Sequence, residues 1–151
     1  MENDKSEQLV RAQLVPELLV TDIKASLRFW HTICGFEIAY ERMDEGFVYL
    51  DLNGAQVMLE ERGRGRNWIT GELEKPLGRG INFQVTVASI EPILNELKKA
   101  AWPIFMKPEQ KWYRAGKMET GVEQFLVQDP DGYLIRFSAV CGHRPSASTL
   151  G

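Results

Sequence analysis

The sequence predicts an α+β fold of two tandem βαβββ modules, and an internal repeat is the main observation behind this prediction. The segments "VTDIKASLRFWHTICGFEI" and "VASIEPILNELKKAAWPIF" align without gaps at an offset of 67 residues. Each is typical of a strand end, an amphipathic helix and a second strand. The segments "FVYLDLNGAQVMLEE" and "FLVQDPDGYLIRFSA" align at an offset of 78 residues, and each is typical of a strand–turn–strand hairpin.

The two predicted helices begin at suitable N-cap residues, Asp22 and Ser89. Their side-chain oxygens can accept hydrogen bonds from the first unpaired backbone N–H groups. Because a module this small cannot bury both faces of its sheet, we expect the modules to form a curved mixed sheet around a cleft, with the helices on its outer face. The apolar stripes at helical spacing are Ile23, Leu27 and Trp30, then Ile90, Leu94 and Leu97.

The repeat places a single domain at residues 13–140. A segment rich in glycine and charged residues separates the two modules and is predicted to be a linker. The polar ends of the chain are predicted to be flexible. The predicted segments are a flexible N-terminus at 1–12, module 1 at 13–62, the linker at 63–79, module 2 at 80–140 and a flexible tail at 141–151.

The composition excludes several classes of protein. The chain has 44% hydrophobic and 26% charged residues, which is typical of a globular protein. Its net charge of −3 argues against nucleic acid as a partner. No apolar run approaches the roughly 18 residues of a membrane span, and no secretory signal is visible. The two cysteines, Cys34 and Cys141, make no disulfide framework, so we expect a cytoplasmic protein without a membrane partner.

A sheet face that mixes aromatic and polar side chains is a candidate ligand pocket, and a solvated face is the simpler alternative. Arg136 lies in the middle of a predicted strand on this face. Because a buried, unpaired guanidinium costs several kcal/mol, Arg136 must meet a carboxylate such as Glu17 or Glu60, open water, or a ligand. The residues predicted on this face are Phe47, Tyr49, Gln56, Met58, Glu60, Asn82, Gln84, Thr86, Glu123, Phe125, Val127, Arg136 and Ser138.

Two stretches, "LLVTDIKASLRFWHTICGF" at 18–36 and "QFLVQDPDGYLIRF" at 124–137, resemble the vicinal oxygen chelate superfamily of glyoxalases, extradiol dioxygenases and antibiotic resistance proteins. The resemblance spans about residues 13–140 and implies strands around a central cleft, commonly in a dimer. Enzymes of this family hold a divalent metal at four positions, two in each module. In this sequence those positions correspond to Val15, Met58, Asn82 and Arg136.

These four residue types do not suit a divalent metal. Valine offers no ligand atom, methionine and asparagine are poor ligands, and arginine is a permanent cation. A register shifted by two residues in module 1 would bring in Glu17 or Glu60, which still leaves too few ligands. We therefore expect neither a metal nor another cofactor.

Among members without a metal, the sequence is most similar to the bleomycin resistance proteins. It shares Val15-Pro16, Phe29-Trp30 and a last strand that lacks the metal-binding glutamate. This resemblance implies a homodimer that sequesters a cationic glycopeptide antibiotic without turnover, through aromatic stacking and acidic contacts. A tryptophan of some family members is replaced here by Gly121, and Trp112 is a candidate substitute.

The resemblance and the strand faces together give the candidate site. No catalytic residue is predicted. Two other classes stay open: a glyoxalase-like or dioxygenase-like metal-dependent enzyme or binder of another small molecule, and a regulatory domain whose cleft is filled by its own side chains. The candidate ligand-binding residues are Phe47, Tyr49, Met58, Glu60, Trp68, Asn82, Trp112, Tyr113 and Arg136, with Asp44, Glu45 and Glu119 as further acidic candidates.

Overall fold

The computed structural model describes residues 6–65 and 67–147. The chain divides into two compact units. Unit 1 comprises Met1–Arg79 together with Asp129–Gly132, and unit 2 comprises Gly80–Gln128 together with Tyr133–Gly151. Each unit contains one α-helix and a mixed four-stranded sheet in the order βαβββ, which confirms the predicted α+β fold.

In unit 1 the strand order is β1-β4-β3-β2, with β1 parallel to β4 and the other neighbours antiparallel. A π-helical turn at Arg28–Ile33 continues the helix, and short 3₁₀ turns lie at Ser6–Gln8 and Met43–Glu45. The elements are β1 (Glu17–Val20), α1 (Ile23–Leu27), β2 (Glu37–Arg42), β3 (Phe47–Leu52) and β4 (Ala55–Glu61).

In unit 2 the strand order is β5-β8-β7-β6, with β5 parallel to β8 and the other neighbours antiparallel. This is the topology of unit 1 repeated. The elements are β5 (Asn82–Thr86), α2 (Glu91–Lys99), β6 (Met106–Ala115), β7 (Met118–Gln128) and β8 (Leu134–Pro145). No helix among the described residues of either unit has the length and apolarity needed to cross a membrane.

The predicted helix starts and the first hairpin turn have clear structural counterparts. The Asp22 carboxylate accepts hydrogen bonds from the backbone N–H groups of Lys24 (3.0 Å) and Ala25 (3.3 Å) and so caps α1. Ser89 Oγ accepts a hydrogen bond from Glu91 N at 3.3 Å, one residue before the N-cap of α2. Between β3 and β4, Asn53 and Gly54 both have positive φ, 50° and 95°, as a tight hairpin turn requires.

The core of unit 1 lies between the helical segment and one face of its sheet. The Trp30 ring is fully buried and packs edge-to-face against Phe29 and Phe36, with ring centroids 5.8 and 5.3 Å apart. Its Nε1–H donates to the buried Asp129 carboxylate at 3.1 Å. This hydrogen bond satisfies the indole donor, which would otherwise be costly to bury.

The core of unit 2 corrects one predicted strand face. We expected Phe125 and Val127 to share a face with Arg136. The register instead pairs Phe125 with Phe137 and Val127 with Ile135, and all four side chains are fully buried. Residues 125–127 are three consecutive apolar residues, so their alternation alone does not identify the inner face.

Two boundaries differ from the predicted ones. Strand β8 continues to Pro145, five residues past the predicted domain end at 140. Its last residues pair with β7, for example Thr120 with His143 and Glu119 with Arg144, and this pairing orders a segment that is polar in sequence. At the other end, residues 6–12 contact the unit 1 sheet, as described below.

Candidate functional site

The open face of the unit 1 sheet carries three neighbouring aromatic rings, which we call the aromatic face: Tyr40, Phe47 and Tyr49. The register brings Tyr40 opposite Tyr49, and the two rings stack with centroids 5.1 Å apart and an interplanar angle of 20°. Tyr40 also contacts Phe47, with centroids 5.9 Å apart. On β4, Met58 lies opposite Tyr49 and Glu60 lies opposite Phe47, so four predicted site residues share this face.

The N-terminal segment covers part of the aromatic face. Leu9 and Val15 pack against a buried cluster that contains Phe47 and Tyr49. As a result, Phe47 is only 6% exposed and Tyr49 only 2% exposed. These two rings were predicted to be stacking surfaces for a ligand, and the chain's own residues contact them instead.

The Gln56 side chain holds this segment in place. Its Nε2 donates to the carbonyl of Val10 at 2.8 Å, and its Oε1 accepts from the backbone N–H of Ala12 at 2.8 Å. The Tyr49 hydroxyl also donates to Gln56 Oε1. One amide thus pairs with the backbone on both sides of Arg11, which fixes the position of that residue above the sheet.

Two guanidinium groups lie on the aromatic rings. The guanidinium carbon of Arg11 is 5.3 Å from the Tyr40 centroid and 5.2 Å from the Tyr49 centroid, and its Nη1 donates to the Tyr40 hydroxyl at 3.3 Å. Arg42 stacks on Phe47 at 4.0 Å and pairs with Glu45 at 2.6 Å. Both contacts are cation–π interactions, so the aromatic face already binds planar cations.

An acidic pair lies beside the aromatic face. Glu17 on β1 is the strand neighbour of Met58, and Glu60 lies two residues further along β4. Loss of hydration raises the pKa of the Glu17 carboxyl above its ordinary value, and a hydrogen bond and charge repulsion from Glu60 raise it further. A cation beside these two carboxyl groups would relieve their charge repulsion.

The open face of the unit 2 sheet centres on Arg136. Its strand neighbours are Gln84 on β5 and Leu126 on β7, while Asn82 lies opposite Leu134. The Arg136 side chain is half-buried, and its Nε has no hydrogen-bond partner within the described part of the chain. Elsewhere on this face, Gln124 Nε2 donates to the Tyr113 hydroxyl at 2.7 Å and to Glu109 at 3.0 Å.

Trp112 lies on the other face of the unit 2 sheet, because it is adjacent to Tyr113 on strand β6. It pairs with Gly121, the residue that replaces the tryptophan of some family members, and its ring occupies the space above that glycine. The Arg144 guanidinium stacks on the indole at 4.0 Å and pairs with Glu119 at 2.9 Å. The candidate Trp112 therefore fills the position at Gly121 with its own ring.

The structure thus separates the predicted residues into groups. Trp68 lies in the segment that joins β4 to β5, and it is 72% exposed. The remaining predicted acidic residue, Asp44, is exposed next to Glu45. Sequence reasoning missed Arg11, Tyr40 and Arg42. Tyr40 and Arg42 are two residues apart on β2, and this alternation could have placed both on the same sheet face. The sequence around Arg11, in contrast, does not indicate where Arg11 lies.

The residues at the family's metal positions do not fit a divalent ion. In unit 1, Val15 packs against the aromatic cluster and Met58 supplies only a thioether. In unit 2, the last position holds the permanent cation of Arg136, whose buried Nε can only donate. Within residues 6–65 and 67–147, no group of three or more His, Cys, Asp or Glu side chains could hold a metal.

Comparison with known proteins identifies the class to which this fold belongs. A family model described as the glyoxalase/bleomycin resistance protein/dioxygenase superfamily matches residues 11–137. No functionally curated protein sequence matches the chain. Because the family model spans most of the sequence, the protein belongs to the glyoxalase/bleomycin resistance protein/dioxygenase superfamily.

Two solved structures agree with this fold, and a third is similar in sequence. Virulence protein STM3117 from Salmonella typhimurium is 18% identical, with a TM-score of 0.62 over 88% of this chain and 99% of its own. TioX from Micromonospora sp. ML1 is 21% identical, with a TM-score of 0.64 over 86% of this chain and 99% of its own. A superfamily member from Vibrio splendidus 12B01 is 44% identical over 82% of this chain and 94% of its own, with a TM-score of 0.38.

Proposed function

We propose that the protein sequesters a planar, cationic small molecule of the bleomycin type without turnover, and that it does so as a homodimer. One observation carries this proposal: the stacked Tyr40 and Tyr49 rings already hold the guanidinium of Arg11. A surface that binds a flat cation supplied by the chain has the chemistry to bind a flat cation supplied by a ligand.

The surroundings of the rings support the same class of ligand. Flat apolar surfaces favour stacking of an aromatic ring system, and carboxylates attract its positive charge. Glu17 and Glu60 provide those carboxylates on the same sheet face as Phe47 and Tyr49.

A ligand on the aromatic face must displace Arg11. The displacement costs little, because this guanidinium has one hydrogen bond, to a tyrosine hydroxyl, and two ring contacts. Exposed cation–π contacts of this kind contribute about 0.5–1 kcal/mol. Only the Arg11 side chain has to rotate away from the rings, so the hydrogen bonds of Gln56 to the backbone of Val10 and Ala12 can stay in place.

The test is a calorimetric titration of metal-free bleomycin into chelator-treated protein, with fluorescence as a second readout. We expect saturation near one drug per chain, and addition of a divalent metal to the protein should leave the affinity unchanged. Tyr40→Leu removes the stacking ring and should weaken binding at least tenfold. Phe105→Leu, which replaces an aromatic residue of unit 2 that is 61% exposed, is the matched control and should bind like the wild type.

Absence of both heat and fluorescence change would refute sequestration of this drug class. Sedimentation equilibrium tests the proposed homodimer separately. A monomeric protein that still saturates with bleomycin would retain the binding function and exclude the dimer.

A further inference from the structure

Arg136 differs from the other arginines whose contacts the structure records. Arg42, Arg64 and Arg144 each donate to a carboxylate, at distances of 2.6, 3.0 and 2.9 Å. Arg79 donates to the backbone carbonyls of residues 75 and 76. The Arg136 Nε, in contrast, is removed from solvent and has no hydrogen-bond partner among the residues that the structure describes.

This arrangement is energetically unfavourable without a further acceptor. A buried donor that lacks a partner destabilises the folded protein, and a charged donor does so more strongly than a neutral one. Arg136 also lies within β8, where its backbone is paired on one side with β5 and on the other with β7. The unused donor therefore indicates a site completed by a molecule outside the chain.

The side chains around Arg136 define the chemistry of that molecule. A guanidinium offers only donors, in a planar fork that matches a carboxylate or phosphate. Gln84, its neighbour on β5, adds an amide that can donate as well. Leu126, its neighbour on β7, is half-buried and provides an apolar surface beside the fork. The combination suits an oxyanion attached to an apolar body.

We propose that Arg136, supported by Gln84, is a binding site for the oxyanion of a small organic acid on the open face of the unit 2 sheet. The site is independent of the aromatic face and does not require the proposed drug binding. Its ligand class is carboxylate or phosphate, and the experiment distinguishes these two sources.

Nuclear magnetic resonance observes the site directly. Because Nε is buried, its proton is shielded from exchange and should give a separate arginine signal in a nitrogen–proton correlation spectrum. The Arg136→Lys variant keeps the positive charge but has no guanidinium group. The signal that is missing from its spectrum is therefore that of the Arg136 Nε. Acetate, benzoate and inorganic phosphate are then titrated separately at constant ionic strength, with chloride as the reference anion.

We expect one arginine Nε signal to shift saturably with benzoate and more weakly with acetate, since Leu126 contacts the apolar ring. Saturation with phosphate alone would assign the site to phosphate. If no anion moves this signal beyond the effect of chloride, or if all arginine Nε signals move equally, the site does not exist.

Thermal unfolding provides a second measurement on variants. At about ten times its Kd, the bound anion should raise the Tm of the wild type by roughly 3–6 °C. Arg136→Gln should abolish this rise, whereas Arg114→Gln, which removes an exposed arginine from the same sheet, should preserve it. An anion-dependent rise that survives in Arg136→Gln would overturn the proposal. Where Arg136→Gln fails to fold, the titration of the wild-type signal decides alone.

Discussion

The indole of Trp112 lies in the space above Gly121, so that a Cβ on this glycine would be 2.7 Å from Trp112 Cζ2. Real Cβ atoms do not approach other atoms this closely, and the two strands are paired at this point. The glycine therefore permits the position of the tryptophan ring.

Gly121→Ala should destabilise the protein by about 1–3 kcal/mol, because the indole must shift away from a well-packed position. Urea unfolding measures the loss. Gly142→Ala is the control, since its Cβ would meet the same ring at 3.3 Å and should cost less. When Trp112 is replaced by alanine, Gly121→Ala should no longer lower the free energy of unfolding. If it lowers the free energy by the same amount as before, the indole ring is not the obstacle.

Arg11→Ala should strengthen binding of metal-free bleomycin by about two- to fivefold, because it removes a cation–π contact that the ligand replaces. Calorimetry measures the change, and Arg28→Ala, an exposed arginine on the helical segment, is the control. Arg11 also lowers the pKa of Tyr49, although burial, the larger effect, leaves that pKa raised.

Ultraviolet titration of the tyrosines therefore tests the position of Arg11 without any drug. Tyr49 should ionise at higher pH in Arg11→Ala than in the wild type. Identical tyrosine titrations for the two proteins would place Arg11 away from these rings.

Glu17→Gln should make the protein more stable than the wild type at pH 7. The pKa of Glu17 is raised in the folded state, so folding favours its protonated form and stability falls as pH rises from the unfolded value of about 4.3 through the folded pKa. The difference between the variant and the wild type should disappear below pH about 4. The side chain is exposed, so solvent screening keeps the effect small.

Glu61→Gln should show the opposite dependence on pH. Hydrogen bonds from the backbone N–H of Ile23 and the Arg64 side chain lower the pKa of Glu61. This variant should be less stable than the wild type at pH 7, with a difference that vanishes as pH falls through the folded pKa. Thermal unfolding across pH measures both variants, and curves of the same sign would contradict these pKa shifts.

Asp131→Ala should cost about 2–3 kcal/mol, because it removes the charged acceptor of two hydrogen bonds. Asp131 is 2% exposed and accepts hydrogen bonds from the backbone N–H of Thr21, at 3.0 Å, and from its hydroxyl. Chemical unfolding measures the loss. Asp44→Ala removes an exposed carboxylate and should change stability by less than about 0.5 kcal/mol. Equal losses of stability in the two variants would show that the hydrogen bonds from Thr21 to Asp131 do not stabilise the fold.

Sequence periodicity predicted most of the fold because it depends on short-range patterns. The repeat gave both βαβββ units, Asp22 caps the first helix, and Asn53-Gly54 forms the first hairpin turn. For the candidate site, alternation along β3 and β4 correctly placed Phe47, Tyr49, Met58 and Glu60 on one face. The same reasoning failed on β7, where consecutive apolar residues made the two faces indistinguishable.

The sequence by itself determined the family, the order of the strands along the chain and the presence of an arginine in the middle of β8. Only the tertiary structure decided that Arg11 lies on Tyr40 and Tyr49, and that the Arg136 Nε has no acceptor among the described residues. The physical reason is range. Strand alternation and helix capping act over a few residues, whereas the contact of Gln56 with the segment around Arg11 spans more than forty residues.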